Sequence, residues 1–399
     1  MNWFHNALHT PSTRHWASAL GLAFTLLGCG GVDSGGTGSP TYASGPITGF
    51  GSVIVNGVHF DDGAAAVTDD DGTTRSRDDL RLGMTTVVRG SALSTDASGT
   101  SISQASTIAF RSDLLGQVDG IDTTGNTFVV LGQTVDITAT TVFDDASLSG
   151  GLSALALGNV VEVYALFDAA TGHYVATRVE RKGAALVYRL RGVVSQLDTL
   201  AKVFYIGGEK ISYTGLAGPV PAALANGSFL RVRVQTTKVA GAWLVAALTD
   251  GGQRPDDLDS VRLEGLISTF DSPTQFSVNG VAVNAVGVSP PAGLALGVRV
   301  EVEGTARGGV LIASKLTVKA PDDPTYQVFE LRGSIASTNP AGLAFVLRGV
   351  TVRYRVGGVI PTDFRNGTAA QLAPGTNVEA RGLLSADGTQ LVATRITFK

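Results

Sequence analysis

Five strands built around a central glycine recur through this chain, and their recurrence limits the fold more than any other feature. They read Ile47-Thr48-Gly49, Leu115-Gly116-Gln117-Val118, Leu190-Arg191-Gly192-Val193, Leu263-Glu264-Gly265-Leu266 and Leu331-Arg332-Gly333-Ser334, with the glycines 67 to 76 residues apart. Self-similarity at a steady period marks a repeated structural unit. After each comes an apolar run turned by a glycine, as in Val53-Ile54-Val55-Asn56-Gly57-Val58, Phe128-Val129-Val130-Leu131-Gly132 and Phe276-Ser277-Val278-Asn279-Gly280-Val281. Asn-Gly between alternating apolar residues signals a hairpin, because a type I′ turn needs positive φ at both central positions.

Further along each unit a glycine precedes a strand of period two. Counted from that glycine, positions three and five carry Val161 and Val163, Leu230 and Val232, Val300 and Val302, and Val378 and Ala380; the first unit has Thr86 and Val88. Successive strand side chains point to opposite faces. Glu162 and Tyr164, Arg231 and Arg233, Glu301 and Glu303, and Glu379 and Arg381 are therefore expected on a solvated face opposite the core. Ala105-Ser106-Thr107-Ile108, Ala176-Thr177-Arg178-Val179, Ala313-Ser314-Lys315-Leu316 and Ala393-Thr394-Arg395-Ile396 close four of the units.

Five units of this size, each with about five strands, predict an all-β chain: a tandem array of five small antiparallel barrels of OB type, since open sheets would leave edges unpaired. Glycine at 51 of 399 residues and a charged fraction of only 16% agree with short strands and tight turns. The expected divisions are 1–28 (signal peptide), 29–45 (tether), then repeats at 46–113, 114–188, 189–259, 260–328 and 329–399. Helix is expected only as single turns, in Ala146–Ala156 and Pro221–Ala225.

The beginning of the chain reads differently. Residues 1–16 are polar with one firm positive charge, Arg14, and residues 17–28 (ASALGLAFTLLG) form an apolar run too short to span a bilayer. The run ends in Leu26-Leu27-Gly28-Cys29, which resembles the lipobox of bacterial lipoproteins. That resemblance implies export, cleavage after Gly28, acylation of Cys29 as by palmitate, and a lipid anchor in the cell envelope. Gly30, following the cysteine, implies the outer membrane rather than the inner. Cys29 is the only cysteine, so a disulfide within one chain is impossible. Residues 30–45 are rich in Gly, Ser and Thr and read as a flexible tether.

The repeats themselves resemble the bacterial domain of unknown function 5666, found in tandem in lipoproteins. The likeness is carried by Leu263-Glu264-Gly265-Leu266-Ile267, by Gly297-Val298-Arg299-Val300-Glu301-Val302-Glu303-Gly304 and by Ala313-Ser314-Lys315-Leu316. These motifs specify strands and turns, so the resemblance brings no catalytic residues and no cofactor.

Function has to be sought among the remaining polar groups. His59 and His173 are the histidines after residue 28, and neither sits in a metal pair or beside a nucleophile elbow. Asp69, Asp70 and Asp71 invite calcium but lack the alternating ligands of an EF-hand loop, so a solvated hairpin tip is expected there. Two arginine rows, Arg231 with Arg233 and Arg353 with Arg355, form the candidate ligand face, suited to an anionic envelope glycan, an anionic lipid or another envelope protein. A net charge of −4 argues against nucleic acid. The reading is a non-catalytic binding or scaffolding lipoprotein. The alternatives are a glycan hydrolase using carboxylates such as Glu162, Glu301, Glu303 and Glu379, or a structural spacer.

Overall fold

A computed structural model describes residues 39–399 apart from Ala223, Gln253 and Asp322. The predicted signal segment, the Leu26-Leu27-Gly28-Cys29 motif and the tether as far as Gly38 lie outside the described residues.

Repeat two shows how the sequence pattern becomes a barrel. Leu114–Asp122 pairs antiparallel with Thr127–Val130, which turns back on Gln133–Asp136. That third strand runs parallel to His173–Lys182, which returns against Val160–Asp168, and Val160–Asp168 closes onto the first strand. With these five strands numbered in chain order, the order 1-2-3-5-4 closing on 1 is the partly Greek-key barrel expected of an OB-type unit, and the short segment Val142–Phe143 adds a second parallel contact to His173–Lys182. The same circuit is completed in repeat one, three, four and five. The inward residues of the period-two strands are core: Val161, Val163, Val232, Val300 and Val378 are wholly buried.

The central glycine explains why these chains close. A Cβ on Gly116 would run into Leu131, one on Gly192 into Ile206 and one on Gly265 into Asn279. Leu131 and Asn279 stand at the hairpin turns with φ of 49° and 48°. The first strand must be bare at that point so that the hairpin can fold across it.

Repeat one departs from the expected register. Its hairpin asparagine, Asn56, lies over Gly45, not Gly49. Gly45 pairs with Thr86, as Gly116 pairs with Val161 and Gly265 with Val300, so Gly45 is the equivalent glycine. Accordingly the first strand runs Thr41–Phe50 and begins inside the segment read as tether. Thr41, Tyr42 and Ala43 are buried there. The small and polar composition of Thr41–Gly45 concealed a strand held by pairing on both sides, since Thr41–Ser44 also runs parallel to Ser260–Leu263 of repeat four.

First strands join the barrels elsewhere too. Gly49 and Phe50 pair in parallel with Glu330 and Leu331 of repeat five, and Leu114 and Leu115 pair with Leu190 and Arg189. Tandem in sequence, the barrels form one compact unit, Gly38–Lys399. The expectation of a solvated outer face fails for part of the pattern. Tyr164 is 1% exposed and packs into the core shared by repeats one and five, and Arg231 is 8% exposed. Neighbouring barrels cover the faces that water was expected to cover. Of the predicted helical turns, Gly151–Ala154 is a short 3-10 turn, and Leu224 N–H donates to the Pro221 carbonyl in one isolated turn.

Candidate functional site

The acidic loop of repeat one lies between Ala66–Thr68 and Thr74–Arg75. Asp69 organises it from within: Oδ1 accepts the backbone N–H groups of Asp71 and Thr73 at 3.0 Å each, and Oδ2 accepts from Arg75 Nη2 at 2.6 Å. Fixing the loop in this way turns Asp70 outward, into repeat three. Its Oδ2 is 2.6 Å from Arg191 Nη2 and 2.7 Å from Arg231 Nε, with all three side chains almost sealed from solvent. Asp71 adds Arg231 Nη2 at 2.6 Å and Arg233 Nη1 at 3.4 Å. Burial pushes the Asp71 carboxyl up, but the guanidinium groups of Arg231, Arg189 and Arg233 outweigh it and hold the pKa below the ordinary value.

These contacts correct two expectations. The Asp69-Asp70-Asp71 tip is docked against another barrel instead of solvated, and guanidinium groups occupy the oxygens that a calcium ion would use. The Arg231–Arg233 row, read as half of a ligand face, binds this internal carboxylate pair. Among the described residues no group of three or more His, Cys, Asp or Glu is placed to hold a metal.

Beside this network four barrels meet around a pocket of about 160 Å³. Arg111 and Thr85 come to it from repeat one, Leu166 and Phe167 from repeat two, Phe229 from repeat three and Ser268 from repeat four. The Phe167 and Phe229 rings meet across the barrel boundary with centroids 5.8 Å apart. Arg191 reaches the same pocket tied on both sides: Nη1 donates to the Gly251 carbonyl at 2.6 Å, Nη2 to Asp70, and Nε, without a hydrogen bond, lies 3.5 Å from Asp113 Oδ1. Asp113 Oδ2 accepts the Ala165 N–H at 3.0 Å. Arg111 differs. Its Nη1 is sealed from solvent and has no hydrogen-bond partner. Burial raises the Asp113 pKa and lowers that of Arg111, as desolvation does for a carboxyl and a cation respectively.

The local charges do not balance. Arg111, Arg189, Arg191, Arg231 and Arg233 face Asp70, Asp71, Asp113 and Glu162, which leaves one positive charge over. Glu162 also meets Lys182, but that ammonium is shared with Glu180 and so is already compensated. Glu264, another wall of the pocket, is held between Arg299 at 2.6 Å and Lys319 at 3.6 Å.

The second arginine row has a different setting. Arg353 and Arg355 are exposed and make no ion pair with the described residues. They precede Val356, Val359 and Ile360, whose side chains stand in solvent. His173 Nδ1 lies 3.0 Å from Asp136, and His59 is half-buried with its pKa lowered by that burial. The carboxylates considered for hydrolysis each have basic partners: Glu162 with Lys182, Glu301 with Lys319, Glu303 with Lys315, and Glu379 with Lys399.

Arg111, Asp113 and Arg191 were missed in the sequence. Arg111 and Asp113 fall at the boundary between repeats one and two, and the available signal was their opposite charges set between Phe110 and Leu114.

Residues 116–180, 264–317 and 332–397 match the Domain of unknown function (DUF5666), which places the match on repeats two, four and five. No curated protein and no solved structure matches the chain. Repeats one and three, outside the matched segments, are the two that supply Asp70, Arg191 and Arg231. Their departure from the common pattern coincides with residues that lock one barrel to another.

Proposed function

From a chain of tandem β-barrels matching a domain of unknown function, we propose a non-catalytic binding protein of the cell envelope, tethered to a membrane through a lipid on Cys29. The observation that carries the binding role is the convergence of four barrels on one pocket lined by Arg111, whose guanidinium makes no ion pair and no hydrogen bond with the described residues. A purely structural spacer has no need of a guanidinium left out of the ion-pair network, because a buried charge is costly unless paired. Against hydrolysis stands the pairing of Glu162, Glu301, Glu303 and Glu379 with basic groups, since a general acid needs a carboxyl whose proton is held near working pH.

The anchoring rests on the Leu26-Leu27-Gly28-Cys29 motif and on the absence of any other cysteine to explain. Arg353 and Arg355, beside exposed Val356, Val359 and Ile360, give the anchored body a surface that suits an anionic head group. The test is fatty-acid labelling and membrane fractionation of the wild type and Cys29→Ala. Label and membrane retention should both be lost in the variant, while its barrels melt at the wild-type temperature. Label surviving in Cys29→Ala would refute the anchor.

A further inference from the structure

We infer that the four-barrel pocket binds a small monocarboxylate with a compact apolar body, its carboxylate on Arg111 and its body against Leu166, Phe167, Val193 and Phe229. The inference rests on the binding role proposed above and names the class of ligand.

Charge sets the first limit. The cluster around the pocket carries one positive charge beyond its carboxylates, and Arg111 is the guanidinium of the cluster that makes no ion pair and no hydrogen bond with the described residues. A ligand with a single negative charge completes the set. A neutral ligand leaves the guanidinium unpaired. A dianion such as a phosphate monoester brings a second charge toward Asp113 and Glu264, both of which line the same pocket. Geometry agrees, because a planar guanidinium presents parallel N–H groups that fit a carboxylate.

Size sets the second limit. A cavity of about 150 Å³ lined by apolar side chains accommodates benzene, and this pocket measures about 160 Å³. The body of the ligand is therefore a single ring or a short branched chain. A long acyl chain exceeds the volume. Leu166, Phe167, Val193 and Phe229 give the lining its aliphatic and aromatic part, and Ser268, whose hydroxyl oxygen accepts the Gly280 N–H at 2.9 Å, still has its own proton to donate.

The experiment is calorimetric titration of the full chain with benzoate, benzamide and benzene. Benzoate should bind, and benzamide, matched in shape but uncharged, should bind at least about tenfold more weakly, a difference of ~1.4 kcal/mol. Arg111→Gln should erase that preference and leave benzene binding as in the wild type. If the variant does not fold, the comparison of benzoate with benzamide in the wild type decides alone. Equal affinity for acid and amide, with benzene also bound, would overturn the carboxylate assignment and leave the binding role standing. Failure of all three probes to bind would overturn both.

Discussion

Replacing Asp70 with asparagine removes the charge that holds the acidic loop of repeat one against repeat three. In the native structure its Oδ2 lies 2.6 Å from Arg191 and 2.7 Å from Arg231, whose side chains are 3% and 9% exposed. Deleting one partner of a buried pair costs about 3–5 kcal/mol, because the remaining charge stays desolvated. The asparagine carbonyl still accepts one hydrogen bond and Asp71 still faces Arg231, so the expected loss is at the lower end, about 3 kcal/mol. How this appears on heating depends on whether the barrels melt together. With roughly 2.1 cal/mol/K per residue of unfolding entropy, a unit of about 360 residues melts about 4 °C lower. A single barrel of about 70 residues melting alone shifts by about 20 °C for the same loss.

Strand pairing between repeats one, four and five favours the concerted result. Scanning calorimetry distinguishes the two, and a cycle with Arg231→Met measures the coupling, expected between about 0.5 and 3 kcal/mol. A loss below about 1 kcal/mol, or strictly additive effects in the cycle, would refute the view that this contact joins the barrels.

Two further outcomes follow from local geometry. Gly265→Ala drives a methyl group into the Asn279 side chain and should destabilise by roughly 1–3 kcal/mol in urea titration, with Asn279→Gly restoring part of it; no change in the midpoint would show that the glycine is not required for hairpin closure. Burial pushes the Glu180 carboxyl up, yet Arg178 and Lys182 outweigh it and bring its pKa from 4.5 to about 2. A depressed folded pKa means that Glu180 stabilises the fold above about pH 4.5 and that this contribution, roughly 3 kcal/mol, disappears as pH falls toward 2. Glu180→Gln should flatten the loss of urea stability through that window, and an unchanged slope would show that other groups carry it.

The elements that local patterns control were legible in the residues. Asn56-Gly57 forms the predicted turn with φ of 51° and 69°, and Val300 and Val302 lie in the core as their alternation requires. Both follow from properties of a few neighbouring residues: the steric freedom of glycine and the two-residue period of a strand. The outward faces were another matter. Arg231 and Glu162 in alternating strands are equally compatible with water and with a neighbouring barrel, so nothing local distinguishes the two. The same ambiguity hid Thr41–Gly45, whose polar residues are buried between Thr85–Gly90 of their own repeat and Ser260–Leu263 of repeat four.

Barrel type and repeat number were thus set by the sequence through short-range sterics and hydrophobic period. Which barrels touch, which charges become partners, and where Arg111 is left facing a pocket were decided by the tertiary structure, because charge pairing acts between groups that only the packed chain brings within a few ångströms.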